Sequence, residues 1–192
     1  MLDGCSVHYK GFKNVNSHQP EINFNDLPTI VVPAHRHQGR IEERGLINGS
    51  VCIRLDLEDL KCFEVVERQF EKWGVIFSNA IAIQPSNPAF PPRSGNIVLL
   101  GSPKNGFLEA TFLQPVQYVS GYVTSSRRAV LAAYSIEGQP IAHDELPEAN
   151  LANSNSSIPP NAQLCVTAPN IHRVTFFTFD GHITLDDFTF SY

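Results

Sequence analysis

Short apolar runs separated by proline, glycine, asparagine and serine characterise the chain from Val51 onward. Apolar and polar residues alternate within several runs, most clearly in VQYVSGYVT (116–124). This period of two indicates strands with one face in a core and the other in solvent. Only KCFEVVERQFEK (61–72) has helical spacing, and we expect a short helical turn or a loop there. The predicted strands cover residues 51–60, 73–83, 96–100, 106–112, 116–124, 129–136, 162–166, 171–179 and 183–190.

The segments between the runs carry turn and loop residues. QPSNPAFPPRSG (84–95) contains four prolines and predicts an irregular loop. Glu137-Gly138 predicts a hairpin turn, and the acidic, Asn- and Ser-rich residues 144–160 predict an exposed loop. Short strands at regular spacing with little helix predict an all-β fold, a jelly-roll β-sandwich.

Residues 1–50 differ from the rest because they show no sustained period of 2 or 3.6. They are rich in Asn, His, Gln and Arg, and their one strand candidate, Ile30-Val31-Val32, stops at Pro33. We therefore expect a loosely ordered N-terminal extension over residues 1–50 and a single folded domain over residues 51–192.

Composition excludes several classes of function. The net charge is −5 and no basic stripe is present, which argues against nucleic acid as the main partner. No apolar run approaches the roughly 18 residues of a membrane span, and the first residues lack the regions of a signal peptide. GxSxG, GxGxxG and P-loop motifs are absent, so we expect no enzyme. The spacing of the four cysteines does not require disulfides.

Several motifs resemble those of a known bacterial family. LDLEDL (55–60) and WGVIFSN (73–79) are similar to its opening FDFED and YGVxFSN motifs, and PPRSGN (91–96), PVQYVSGYVT (115–124) and FDGHITLDDFTF (179–190) continue the match. About three quarters of the chain thus resembles the jelly-roll, lectin-like domains of exported bacterial proteins, often carried with a C-terminal sorting signal. The layout is similar to MAM domains and to galactose-binding-like carbohydrate-binding modules. The resemblance implies an extracellular or cell-surface, non-catalytic module for a glycan or a surface protein, frequently with bound calcium.

The closing segment, residues 181–191, is an apolar strand that contains two adjacent acids, Asp186 and Asp187. In a regular strand, Asp186 would point to the same side as Phe188 and Phe190. A carboxylate near an apolar layer needs a cation or several hydrogen-bond donors.

A calcium site is the first hypothesis for this acidic pair. The first and last strands of a jelly roll commonly lie side by side, which would bring the pair close to the acids of the opening strand. Calcium takes about six to eight oxygen ligands, including carboxylates and backbone carbonyls. The alternative is a set of solvated acids at a strand edge. The predicted calcium ligands are Asp56, Glu58, Asp59, Asp186 and Asp187.

A second metal hypothesis concerns the N-terminal segment. His35, His37, Glu42 and Gly49 match the HxH-x4-E-x6-G spacing of the first cupin metal motif. Thr29 stands where that motif has glycine, and no second motif follows. A cupin-type metalloprotein using His35, His37 and Glu42 is therefore an alternative reading of the chain.

Glycan recognition uses exposed aromatic side chains with polar neighbours, whereas most aromatic residues at period two lie in the core. The candidates near strand ends and turns are Tyr122, Arg127, Arg128 and Asn96. A structural domain without a ligand is the remaining alternative, because a fold does not imply a function.

Overall fold

The computed structural model of the protein describes residues 24–34, 51–102 and 106–192. These residues form eleven strands in one sheet and two short 3-10 helices, Phe24–Asp26 and Glu71–Trp73. The predicted all-β class is confirmed. The strands are β1 (Thr29–Pro33), β2 (Cys52–Asp56), β3 (Val65–Val66), β4 (Val75–Ser78), β5 (Ala80–Ile83), β6 (Val98–Gly101), β7 (Phe107–Ser125), β8 (Ala129–Tyr134), β9 (Pro140–Leu146), β10 (Ala162–Thr178) and β11 (Ile183–Ser191).

The sheet runs in the order β3-β5-β6-β11-β7-β10-β8-β9. In addition β2 pairs with β11, β1 with β2, and β4 with β7. All these pairs are antiparallel except β1 with β2. The expected contact between the opening and closing strands is confirmed, since Thr189 lies opposite Arg54 and Ser191 opposite Cys52.

The strands β7 and β10 are much longer than predicted, because each joins two predicted strands. The gaps between the predicted strands, residues 113–115 and 167–170, contain Pro115 and Pro169, and proline lacks the N–H donor that a regular strand pair uses. Both residues instead lie at a bend, where the register between the two strands shifts on either side of Ile171. Bulges and bends are where strands tolerate proline and where one strand passes between two packed layers.

Phenylalanine rings show that the bent sheet packs against itself as a sandwich. The Phe188 ring of β11 lies 5.3 Å from Phe77 of β4, 6.4 Å from Phe112 of β7 and 6.3 Å from Phe176 of β10, measured between ring centroids. All four side chains are buried. The last strand therefore faces the opposite layer through its aromatic residues.

Two local predictions concern residues 61–72 and 144–160. The short helical turn or loop expected at residues 61–72 agrees with the structure, which has turns, the two-residue strand β3 and the start of the Glu71–Trp73 3-10 helix there. The strand β9 was not expected, because residues 144–146 belong to the segment predicted as an exposed loop; among the described strands it pairs with β8. The hairpin turn at Glu137-Gly138 is confirmed, and Gly138 N–H donates to the Ser135 carbonyl at 3.0 Å.

The N-terminal segment contributes a strand to the sheet. The predicted short strand before Pro33 is β1, whose parallel pairing with β2 buries Val32, and Trp73 Nε1 donates to the Pro33 carbonyl at 2.9 Å. This part of residues 1–50 belongs to the folded domain. The other residues of the expected extension, including His35, His37, Glu42 and Gly49, lie outside the described residues.

Two further observations concern sulfur chemistry and membranes. Cys52 and Cys62 are free thiols, whereas Cys165 is disulfide-bonded. Among the described residues no helix is long and apolar enough to cross a bilayer.

Replacing Phe188 by alanine should destabilise the fold strongly. The ring contacts aromatic side chains of both layers, so truncation leaves a cavity and lowers the free energy of unfolding by about 3–5 kcal/mol. Phe179→Ala is the matched control, because Phe179 is 78% exposed and its loss should change stability by less than about 0.5 kcal/mol. Urea unfolding of both variants measures the difference, and equal effects would contradict the packing described.

Candidate functional site

The strand β11 contains a β-bulge at its acidic pair. Asp186 lies opposite Tyr122 of β7, and Thr189 lies opposite Ser120. Two residues of β11 thus face one residue of β7 between these pairs, which is the definition of a bulge. Asp187 adopts a φ of 47° at this point, a left-handed conformation that aspartate tolerates better than most residues.

This bulge reverses the alternation of side chains along β11. Leu185 before the bulge and Phe188 after it are both fully buried in the core. Side chains of directly paired residues lie on the same face of a sheet, so Asp186 lies on the face of Tyr122, opposite to Phe188. The expectation that Asp186 shares a side with Phe188 is wrong, because it assumed a regular pleat.

Asp186 fixes the path of the proline-rich loop, residues 84–97. Its Oδ2 accepts backbone N–H groups of Arg93 at 2.7 Å and Ser94 at 3.0 Å, and its Oδ1 accepts the Asp187 N–H at 2.7 Å. The residue Asp186 is only 3% exposed. Burial raises the pKa of Asp186, and the three N–H groups oppose that shift by favouring the charged form.

Glu58 holds the same loop at its far end. Its carboxylate accepts the Asn96 N–H at 3.0 Å and the Ile97 N–H at 3.0 Å. Gly95 between these residues and Ser94 has a φ of 55°, and a Cβ at this position would collide with the Glu58 carboxylate. Glycine is therefore favoured where the loop approaches its anchor, because other residues are strained at this φ.

Asp187 links the loop to the neighbouring strand. Its Oδ1 accepts the Ser94 hydroxyl at 2.9 Å and Arg54 Nη1 of β2 at 3.3 Å. The two acids of β11 and Glu58 thus share one role, since each accepts hydrogen bonds from the proline-rich loop.

Four of the five predicted calcium ligands line one small pocket of about 140 Å³, the acidic pocket, and the exposed Asp59 does not. Within the described ranges no three Asp, Glu, His or Cys side chains are grouped so as to hold a metal ion. Asp56 Oδ1 accepts the Glu58 N–H at 3.0 Å. Oδ2 of Asp56 and Oδ2 of Asp187 accept no hydrogen bond from any described residue. The calcium site stays a prediction.

A larger groove lies beside the acidic pocket, on the sheet face opposite the core. Val119 and Val123 of β7 are buried in the core, so the alternating residues Tyr118, Ser120 and Tyr122 lie on the other face. This central groove has a volume of about 460 Å³. Further lining residues come from the adjacent strands and the proline-rich loop: Thr29, Arg54, Asp187, Thr189, Gln163 and Arg93.

Arg93, Tyr122 and Gln163 form a contiguous polar set in the central groove. The Arg93 guanidinium carbon lies 4.4 Å from the centroid of the Tyr122 ring, which is cation–π distance. Tyr122 and Gln163 lie directly opposite each other on β7 and β10. The Arg93 guanidinium, the Gln163 amide and the Tyr122 hydroxyl have no hydrogen-bond partner among the described residues. These groups are available to a ligand.

The other end of the groove is closed by the N-terminal segment. The Phe24 ring stacks on Tyr118 at 4.7 Å with an interplanar angle of 4°. The Cys52 thiol donates to the Phe24 carbonyl at 3.5 Å. Burial raises the pKa of both the Tyr118 hydroxyl and the Cys52 thiol, so both groups are neutral at this end.

Of the four residues predicted to contact a ligand, the structure places Tyr122 in the groove and the other three outside it. Arg127 and Arg128 lie in the turn between β7 and β8, where Arg128 pairs with Glu145. Asn96 lies beside Glu58.

Sequence reasoning missed Arg93, Gln163 and Arg54. The positions of Arg54 and Gln163 on the groove face could have been predicted from the alternation of side chains along β2 and β10, once the face that packs in the core is known. Arg93 lies in an irregular loop, and its position depends on a distant bond to Asp186 that no local pattern shows.

Replacing Asp186 by asparagine should change how stability depends on pH. Because the folded-state pKa is raised, the folded protein keeps this proton after the unfolded chain, with a pKa of about 3.9, has released it. The stability of the wild type relative to Asp186→Asn should be greatest below that value and fall as pH rises through the folded-state pKa. Urea unfolding between about pH 3 and pH 7 measures the difference.

Asp59→Asn, which removes an exposed carboxylate of equal charge, is the control for this pH series. A wild-type advantage over Asp186→Asn that grows with pH would contradict the raised pKa.

No protein-family model matches the chain, and no curated protein matches it. Among solved structures, the chain is similar to a DUF4465 family protein from Bacteroides caccae, with a TM-score of 0.42 and 10% identity over 62% of this chain and 82% of that one. A family 29 carbohydrate-binding module gives a TM-score of 0.36 and 9% identity over 61% of this chain and 88% of the other. The enzymatically active domain of bacteriophage CBA120 tailspike protein 4 gives 0.34 and 12%, over 73% and 25%. None of these similarities assigns the chain to a family.

Proposed function

We propose that the protein is a non-catalytic module that binds a glycan in the central groove. The observation that carries this proposal is the set of Arg93, Tyr122 and Gln163, whose polar groups have no hydrogen-bond partner among the described residues. Arg93 is exposed and Tyr122 and Gln163 are half-buried, so their polar groups are bonded to water, which the hydroxyl groups of a ligand can replace. Three unpaired groups next to each other in one groove therefore suit a polar ligand.

The chemistry of these groups suits a saccharide. A guanidinium only donates hydrogen bonds, whereas an amide and a phenol both donate and accept, which matches the paired donor and acceptor character of sugar hydroxyls. The volume of about 460 Å³ lies within the roughly 300–1,000 Å³ of small-ligand sites.

The carboxylates of this region support binding rather than hydrolysis. Glycoside hydrolysis uses two carboxyl groups that flank the bond to be cleaved. Asp187 is the one carboxylate among the described lining residues of the groove, and it pairs with Arg54. Asp186 and Glu58 accept backbone N–H groups with both their oxygens.

The proline-rich loop also supports tight binding, because it holds Arg93 in place before a ligand arrives. The Arg93 backbone is bonded to Asp186, and its guanidinium is stacked on Tyr122. A side chain that is already ordered loses less conformational entropy on binding.

Replacing Tyr122 by alanine should abolish most glycan binding. The change removes the ring under Arg93 and one hydroxyl, and we expect a loss of about 2 kcal/mol, or roughly 30-fold in Kd. A glycan array followed by calorimetry on the bound glycan measures this effect.

The matched control is Tyr134→Ala. Tyr134 lies under Arg173 at 4.1 Å, in the same kind of stacked pair but outside the central groove, so its loss should leave Kd unchanged. Equal effects of the two variants would contradict the groove as the binding site. A silent array would favour a surface-protein partner or a structural domain without a ligand.

The calcium prediction has a separate test. Calcium bound in the acidic pocket would stabilise the folded state by mass action, so calcium should raise Tm and EDTA should lower it. Asp187→Asn should abolish this shift, because it removes a ligand charge, whereas Asp59→Asn should keep it, since Asp59 lies outside the pocket. An unchanged Tm in calcium and in EDTA would contradict the prediction.

A further inference from the structure

We infer that the glycan is acidic, and that its anionic group binds the guanidinium of Arg93. This inference rests on the proposed function and narrows it to saccharides that carry a carboxylate, as in a uronic acid, or a sulfate ester. Both groups present oxygens that the N–H fork of an arginine binds in pairs.

The charges in the central groove are not balanced. Two arginines among the described residues line it, and one of them, Arg54, pairs with Asp187 at 3.3 Å. Arg93 has no acidic partner among the described residues, because the nearby Asp186 accepts the backbone N–H of Arg93 and not its guanidinium. The groove therefore holds one cation whose charge the described residues do not neutralise.

A second arginine–tyrosine pair in the same protein includes an acidic partner for its arginine. Arg173 stacks on Tyr134 at 4.1 Å and also forms an ion pair with Glu109 at 2.7 Å. Arg93 lies over Tyr122 at 4.4 Å, and no acid of the part of the chain that the structure describes pairs with it. An anionic ligand group at Arg93 would take the place that Glu109 has beside Arg173.

The position of Arg93 favours a charged group over a neutral hydroxyl. The guanidinium carbon lies 4.4 Å from the Tyr122 ring centroid, and this contact restricts the side chain, so less freedom is lost when an oxyanion binds. A neutral sugar that covered Arg93 would remove water from the charge without supplying a counterion, which is unfavourable.

The overall charge of −5 does not oppose this inference. At physiological ionic strength, charges more than about 8 Å apart are largely screened. Binding of an anion is then decided by the groups in contact with it, and the contacting group here is Arg93.

The test compares matched ligands. Acidic oligosaccharides with galacturonate, glucuronate or mannuronate units are each paired with their carboxyl-reduced form, in which –COO⁻ is replaced by –CH₂OH. Sulfated oligosaccharides and their desulfated forms make a second arm, and neutral oligosaccharides a third. Calorimetry on the full chain should show at least one anionic member binding about tenfold or more tighter than its neutral partner.

Arg93→Gln should remove this preference, so that the anionic member binds no more than about twofold tighter than its neutral partner. Arg127→Gln is the matched control, because it removes the same charge from an exposed residue outside the groove. It should leave both affinities unchanged. The Tm of each variant shows whether it is folded.

Each outcome is decisive. Preference in the first arm identifies the carboxylate as the anionic group, and preference in the second identifies sulfate. Equal binding of the acidic and neutral partners, or binding of neutral glycans only, would overturn the inference and leave the proposed function in place. Absence of binding in all three arms would overturn both, and so would loss of binding in Arg127→Gln equal to that in Arg93→Gln.

Discussion

The buried carboxylate of Asp186 determines the geometry of the central groove. A carboxylate removed from water must find hydrogen-bond donors, and three backbone N–H groups supply them. Two of these N–H groups belong to the proline-rich loop, so satisfying the acid also fixes the loop. The hydrogen bonds between the loop and Asp186 position Arg93 over the Tyr122 ring. A local electrostatic requirement of one strand thus positions a side chain that lies far away in the sequence.

The β-bulge in β11 makes this arrangement compatible with the core. The phenylalanine side chains of β11 fill the space between the two layers, whereas Asp186 must lie on the opposite face with Tyr122. In a regular strand Asp186 and Phe188 would point the same way. The extra residue at Asp187 lets Phe188 point into the core while Asp186 points to the opposite face. The same strand therefore supplies the aromatic core and the anchor of the loop.

Much of the fold can be predicted from the sequence because strand alternation and turn residues are local signals. They give the all-β class, the hairpin at Glu137-Gly138 and, with the family resemblance, the pairing of the opening and closing strands. The bend of β7 and β10 could not be predicted, since proline indicates a break whether a strand ends or turns a corner. Arg93 could not be predicted either, because its position depends on a hydrogen bond across 93 positions of sequence.

The acidic residues and the groove residues differ in how their hydrogen bonds are used. The acids that stand out in the sequence, Glu58 and Asp186, accept N–H groups of the protein itself. Arg93 and Gln163 do not stand out in the sequence, and the polar groups of their side chains form no hydrogen bond with a described residue. Charged residues that cluster in a sequence can therefore form their hydrogen bonds within the folded protein instead of with a ligand. Since a group already bonded within the protein gains little from a ligand, recognition depends on the polar groups that the fold leaves unpaired.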